Sequence, residues 1–231
     1  MSWFSTFLTS SVGRKLVMSL TGLFLIIFLV VHLIGNLQLL NNDGGESFNI
    51  YAEFMTSFPL VKIISYLLYA SILVHAVQGW LLWRKNAAAR GTQYAVKVTR
   101  TVNTSSVFSR NMGWLGTVIF VFILIHLYQF WFQMHWGELR TETYASHTEP
   151  VKNLYEVVAA TYTSPGFVLF YLISMVVIAF HLWHGFQSAF QTLGLNHKKY
   201  WRLIQVLGRL YAVLIPAAFA LIPVVMYLQS R

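Results

Sequence analysis

The chain has 231 residues, 57% of them apolar and 10% charged, with a mean hydropathy of +0.59. A soluble domain carries about 25% charged residues, so a water-facing surface cannot be assembled from so few and a soluble globular enzyme is excluded. The formal charge of +9, from 16 Lys+Arg against 7 Asp+Glu, fits a membrane chain with basic loops better than a nucleic-acid binder, and the absence of cysteine excludes disulfides, thiol chemistry and cysteine-held metal clusters.

Crossing a hydrocarbon core of about 30 Å takes roughly 20 helical residues. Five apolar stretches reach that length in chain order: Leu16–Leu40, Leu60–Trp83, Met112–Met134, Pro165–Phe190 and Leu203–Leu228. They predict an all-α integral membrane protein, with residues 1–231 forming one membrane domain of five transmembrane helices. The first stretch is too long for a signal-peptide core and no small-residue cleavage site follows it, so a retained helix is expected. Pro59 and Pro165 stand where the second and fourth helices should begin, a position that tolerates a missing N–H, whereas Pro216 and Pro223 fall inside the fifth and should bend it. The connections after the first and third helices, 19 and 30 residues long, contain apolar and aromatic runs such as Phe48-Asn49-Ile50-Tyr51 and are expected to fold over one mouth of the bundle.

Charge sets the expected orientation. Arg14, Lys15, Arg84, Lys85, Arg90, Lys97, Arg100, Arg110, Lys198, Lys199, Arg202 and Arg209 fall on one side with no acid among them. The other side holds Lys62, Arg140, Lys152 and Arg231 with all seven acids, Asp43, Glu46, Glu53, Glu138, Glu142, Glu149 and Glu156. Twelve bases against four is a positive-inside pattern. It predicts a cytoplasmic N-terminus and an outer C-terminus. The basic, Thr/Ser-rich loop from Arg84 to Ser109 suits either lipid headgroups or a cytoplasmic partner.

His32, His75, His126 and His181 lie in four successive apolar helices. Ionisable residues at membrane depth are rare and face a bundle interior, a cofactor or a conduction path. One such histidine could be an interhelical hydrogen bond; four in a row are harder to dismiss. His32 lies 18 residues after Arg14 and His126 lies 16 after Arg110, so at about 1.5 Å per residue both belong near the outer face. His75 and His181 each lie 16 residues after a proline that opens a helix running the other way, so both belong nearer the cytoplasm. The four sort into an outer pair, His32 with His126, and an inner pair, His75 with His181, at levels roughly 10 Å apart.

Facing imidazoles across a bundle are one way to ligate haem iron, and two stacked pairs imply two b haems. Gly79 and Gly185 follow His75 and His181 by four residues, on the same helix face, and leave room for a flat macrocycle. Gly22 and Gly116 each precede an outer histidine by ten residues, which places them at the inner level. His184 is the alternative ligand on the fourth helix, behind His181 because it lacks the HxxxG spacing. His135, His147 and His197 read as surface residues.

The sequence resembles the single-chain, five-helix dihaem cytochrome b subunits that anchor succinate:quinone oxidoreductases, meaning succinate dehydrogenases and fumarate reductases. The carriers are Ser-Val-Gly-Arg-Lys at 11–15, Val-Val-His-Leu-Ile-Gly-Asn ending at Asn36, His-Ala-Val-Gln-Gly at 75–79, Phe-His-Leu-Trp-His-Gly at 180–185, and His126 between them. The resemblance covers nearly the whole chain. It implies that the first and third helices serve the outer haem and the second and fourth the inner, as the depths also suggest. It implies as partners a cytoplasmic flavoprotein and an iron–sulfur subunit, in a bacterial cytoplasmic (inner) membrane, with electrons passing to or from a quinone, menaquinone by expectation. A higher oligomer of that complex is open.

One departure stands out. Some family members carry a membrane-embedded glutamate before the helix-4 ligand, where this chain has Phe180. Quinone protons would then come from outside, with Glu53 as the candidate quinone-site acid and Tyr128, Phe130 and Trp131 as candidate ring contacts. Arg14, Lys15, Arg110 and Asn111 are candidates for haem propionates or partner contact, or plain inside-positive flanks. The chain offers no dicarboxylate site, so succinate oxidation or fumarate reduction must belong to the partner, and the direction is not written in the sequence. The rival readings are a haem b subunit of a hydrogenase, formate dehydrogenase or nitrate reductase, and, from a different class, a transporter with a histidine proton relay or a plain membrane scaffold.

Overall fold

The computed structural model describes residues 3–89 and 110–231. After a short helix α1 (Trp3–Thr9), five long helices follow: α2 (Ser11–Leu37, extended by a 3-10 turn to Leu40), α4 (Pro59–Ala89), α5 (Met112–Trp136), α7 (Pro165–Thr192) and α8 (Lys198–Gln229). All five are long and apolar enough to cross a membrane, and large apolar side chains such as Ile27, Val118 and Leu214 point outward from them. Exposed apolar surface on this scale demands lipid around it. The chain is a multi-pass, all-α integral membrane protein.

The helices outrun their apolar stretches because hydropathy marks where lipid ends, not where a helix ends. Past Trp83, α4 continues through Arg84-Lys85-Asn86 into three alanines, residues that mostly favour the helix. At the other ends local chemistry sets the start. Ser10 accepts a hydrogen bond from the Gly13 N–H and caps α2, and Pro165 opens α7 at its first turn. Phe58 is extended ahead of Pro59, as the residue before a proline must be. α8 runs unbroken in secondary structure through Pro216 and Pro223, both buried.

Four of these helices form a closed ring. α2 packs on α4, α4 on α5, α5 on α7 and α7 on α2, while α8 lies outside against α7 and α2. Chain order and ring order coincide, as short-range up-and-down connection dictates. α2 therefore faces α5 diagonally, and α4 faces α7. A hydroxyl ties the fifth helix in: Tyr211 donates to the Ile26 carbonyl at 2.6 Å.

One end of the ring carries a folded cap. Helix α3 (Glu46–Ser57) lies in the first long connection, and strands β1 (Thr141–Tyr144) and β2 (His147–Lys152) with helix α6 (Leu154–Tyr162) lie in the second. The strands pair antiparallel, Thr141 with Lys152 and Tyr144 with His147. Gly44 and Gly45 both take positive φ (68° and 91°) at the start of α3, and a Cβ on Gly45 would fall 2.3 Å from the Tyr155 ring; only glycine meets both demands. Asn49 is fully buried and holds the two halves of the cap together. It donates to the Tyr144 hydroxyl (2.8 Å) and to Asn153 Oδ1 (3.0 Å) and accepts from the Tyr155 N–H (2.9 Å).

Candidate functional site: two histidine pairs across the bundle

The site is built where the diagonals of the ring meet. His32 of α2 reaches His126 of α5, with ring centres 5.8 Å apart and planes at 89°. His75 of α4 reaches His181 of α7, at 6.3 Å and 63°. The glycines fix the relative levels. A Cβ on Gly22 would lie 3.2 Å from Cε1 of His75, and the nearest atom to one on Gly116 is Cε1 of His181, at 4.0 Å. Helices α2 and α5 thus pass the second pair ten residues before they supply the first, about 15 Å along the helix.

Aromatic rings enclose the His32/His126 pair. Phe28 and Phe219 flank His32, at 5.1 and 5.6 Å. Phe122, Phe130 and Tyr171 surround His126, at 5.7, 5.3 and 6.2 Å, and Tyr162 of the cap closes against Phe130 and Tyr171. Burial pushes the Tyr162 hydroxyl well above the ordinary phenol range, so it stays neutral. Immediately after His126, α5 widens into a π turn (Leu127–Trp131), a local distortion often found at functional sites.

These residues fit a haem better than a bare metal. Among the described residues no group of three or more His, Asp or Glu could hold a metal ion. Each pair offers two nitrogens and no more, which suits a macrocycle that brings its own equatorial ligands. With ring centres 5.8 and 6.3 Å apart, the two imidazoles of each pair would be the residues to hold one haem iron. His181 Nδ1 is buried with no hydrogen-bond partner. Of the HxxxG glycines, Gly185 has open space where its Cβ would be, while Gly79 meets only the mobile end of Met18, at 3.1 Å.

The other sequence candidates scatter. His184 is half-buried one turn beyond His181, and the ring that meets His75 is that of His181. Glu53 is half-buried on α3, one turn after Asn49 and six residues before Pro59 opens α4. Phe130 belongs to the His126 surround. Trp131 instead donates to the Tyr69 hydroxyl at 2.7 Å, and Tyr128 is exposed. Phe180 is exposed on α7. On the N-terminal face Arg14 Nε donates to the Thr9 carbonyl (3.1 Å), Lys85 donates to Ser11 Oγ (2.7 Å), Lys15 is exposed, and Arg110 and Asn111 sit at the start of α5. Most of the basic loop, with Arg90, Lys97 and Arg100, lies outside the described residues.

Four residues that sequence reasoning passed over prove to be site neighbours: Thr21 beside His75, Tyr171 beside His126, Phe219 beside His32, and Gln129 bonded to Tyr171. Thr21 and Tyr171 lie about three turns before a histidine of their own helix, Gln129 lies one turn after His126, and Phe219 stands on a helix with no histidine, so no shared sequence signal marks them. His197, read as a surface residue, accepts from the Lys199 N–H and caps α8. A groove of about 380 Å³, lined by Ile125, Ser164, Gly166, Phe167 and Phe170, opens between α5 and the first turns of α7. Compared with known protein families, curated proteins and solved structures, the chain matches none.

Proposed function

We propose that this chain is the dihaem cytochrome b anchor of a succinate:quinone oxidoreductase. It would pass electrons between a flavoprotein and iron–sulfur pair on its basic face and a quinone near its capped face. The observation that carries the reading is the pair of diagonal histidine contacts, 5.8 and 6.3 Å, at two levels of one four-helix ring. A relay of protons would not require ring pairs at metal-bridging distance. His32 and His126 would hold the outer haem, and His75 and His181 the inner. When bound, haem b supplies reversible one-electron carriage at each level.

The remaining work falls to the polypeptide. The Phe28, Phe122, Phe130 and Phe219 rings keep water from the outer histidines, and the cap shields them from the aqueous side. The groove between α5 and the start of α7 has the largely apolar lining and the size to receive a quinone ring. Glu53 and the acids of the cap stand on the side where protons would arrive. With the basic face in the cytoplasm of a bacterial inner membrane, electron movement toward the cap follows an inside-negative potential, worth about 2.3 kcal/mol per charge per 100 mV. That favours reduction of a low-potential acceptor such as menaquinone.

The test is purification of the tagged full chain from its native membrane. Copurification of a flavin-bearing protein and an iron–sulfur protein, with succinate-dependent quinone reduction, is expected. Haem without a flavoprotein would move the chain to the hydrogenase, formate dehydrogenase or nitrate reductase class. A preparation without haem would overturn the reading.

A further inference from the structure

The two pairs are built unevenly. In each, one histidine has its Nδ1 beside a hydroxyl whose own proton is already committed. Thr21 Oγ1 donates to the Val17 carbonyl at 2.8 Å, with the Met18 carbonyl at 3.2 Å, and lies 3.1 Å from Nδ1 of His75. A hydroxyl has one proton, so toward His75 this oxygen can only accept, and the ring hydrogen sits on Nδ1. Tyr171 repeats the logic at the other level. Its hydroxyl donates to Gln129 Oε1 at 2.7 Å, inside the π turn, and lies 3.4 Å from Nδ1 of His126. The partners have nothing equivalent. His181 Nδ1 is buried without a partner. His32 Nδ1 faces the amide nitrogen of Asn36 at 3.3 Å, and that amide donates to the His32 carbonyl at 2.7 Å.

We propose that Thr21 and Tyr171 are positioning residues that each hold one histidine of a pair as the Nδ1–H tautomer, leave its Nε2 as the nitrogen for iron, and lower the potential of that level. The proposal rests on the dihaem reading. A metal-binding imidazole that donates its second N–H to an acceptor becomes a more basic ligand. A more basic ligand favours the ferric over the ferrous ion, so the level is harder to reduce than it would be without the hydroxyl.

The experiment is redox titration of the full chain in its complex, with the two low-spin haem signals resolved by electron paramagnetic resonance, in Thr21→Val, Thr21→Ser and Tyr171→Phe. Thr21→Val should raise the potential of the His75/His181 level and leave the other unchanged, and Thr21→Ser should keep the wild-type value. Tyr171→Phe should raise only the His32/His126 level. The expected change in the oxidised-to-reduced ratio at fixed ambient potential is several-fold and at most tenfold, the latter being about 59 mV for one electron. Loss of the inner haem in Thr21→Val but not in Thr21→Ser would also support the assignment. A haem-loaded variant whose own level does not move, an equal shift at both levels, or loss of haem in Thr21→Ser as well would overturn it. Wild-type protein without haem would instead bring down the dihaem reading on which it rests.

Discussion

The four histidines make two separate contacts because each pair joins a different diagonal of the ring. Removing one imidazole should therefore be felt at one level only. His126→Ala is expected to abolish the outer haem signal and spare the inner one, read by low-temperature optical and paramagnetic resonance spectra; loss confined to the inner signal would reverse the assignment of levels. Gly22→Val tests the opposite approach, by crowding. A Cβ there already comes within 3.2 Å of His75, and the branched methyls add to it, so the inner haem should be depleted while the outer remains. The pairing was legible in the sequence because depth along a helix is simple arithmetic from the flanking charges and prolines. The hydroxyls of Thr21 and Tyr171 were not, since a threonine or tyrosine in an apolar helix carries no mark of which ring it will meet.

Among the elements, the five long helices follow from apolar length, and the cap does not. The strands Thr141–Tyr144 and His147–Lys152 are joined through Ala145-Ser146, which lacks the Asn-Gly or Asp-Gly signal of a tight hairpin. Asn49 finds Tyr144 and Asn153 across 95 and 104 residues of chain, contacts that no local pattern announces. Replacing it leaves buried polar groups of the cap unpaired, so Asn49→Ala should cost about 2–3 kcal/mol and speed proteolysis between residues 141 and 152 with the haem spectra retained. Asp43 adds a pH dependence. Its carboxylate accepts from the Gly45 and Ser47 N–H groups at 3.0 Å each and from the Ser47 hydroxyl. Those bonds, the Ser47 hydroxyl first, hold its pKa below the ordinary 3.8 despite some desolvation. A depressed carboxylate contributes stability that is present above its unfolded value and lost as pH falls through the folded one. Cap protease resistance should accordingly decline below about pH 4 in the wild type, and Asp43→Asn should be less stable at neutral pH with a shallower acid dependence. Equal acid profiles would contradict this role for Asp43.

At the scale of the whole molecule, the arrangement has a direction: a basic face, the His75/His181 pair, the His32/His126 pair and an acidic folded cap, stacked along one four-helix ring. The fifth helix stands outside the ring yet contributes Phe219 to the His32 surround. Sequence could supply the helix but not its side of the bundle, because a wholly apolar segment fits lipid on any face. The central claim is that each histidine pair holds one haem. A pyridine haemochrome assay on the purified full chain, set against amino-acid quantitation of the same sample, measures this directly. The account predicts close to two b haems per chain; a value near one would break the two-level arrangement, and zero would contradict the claim altogether.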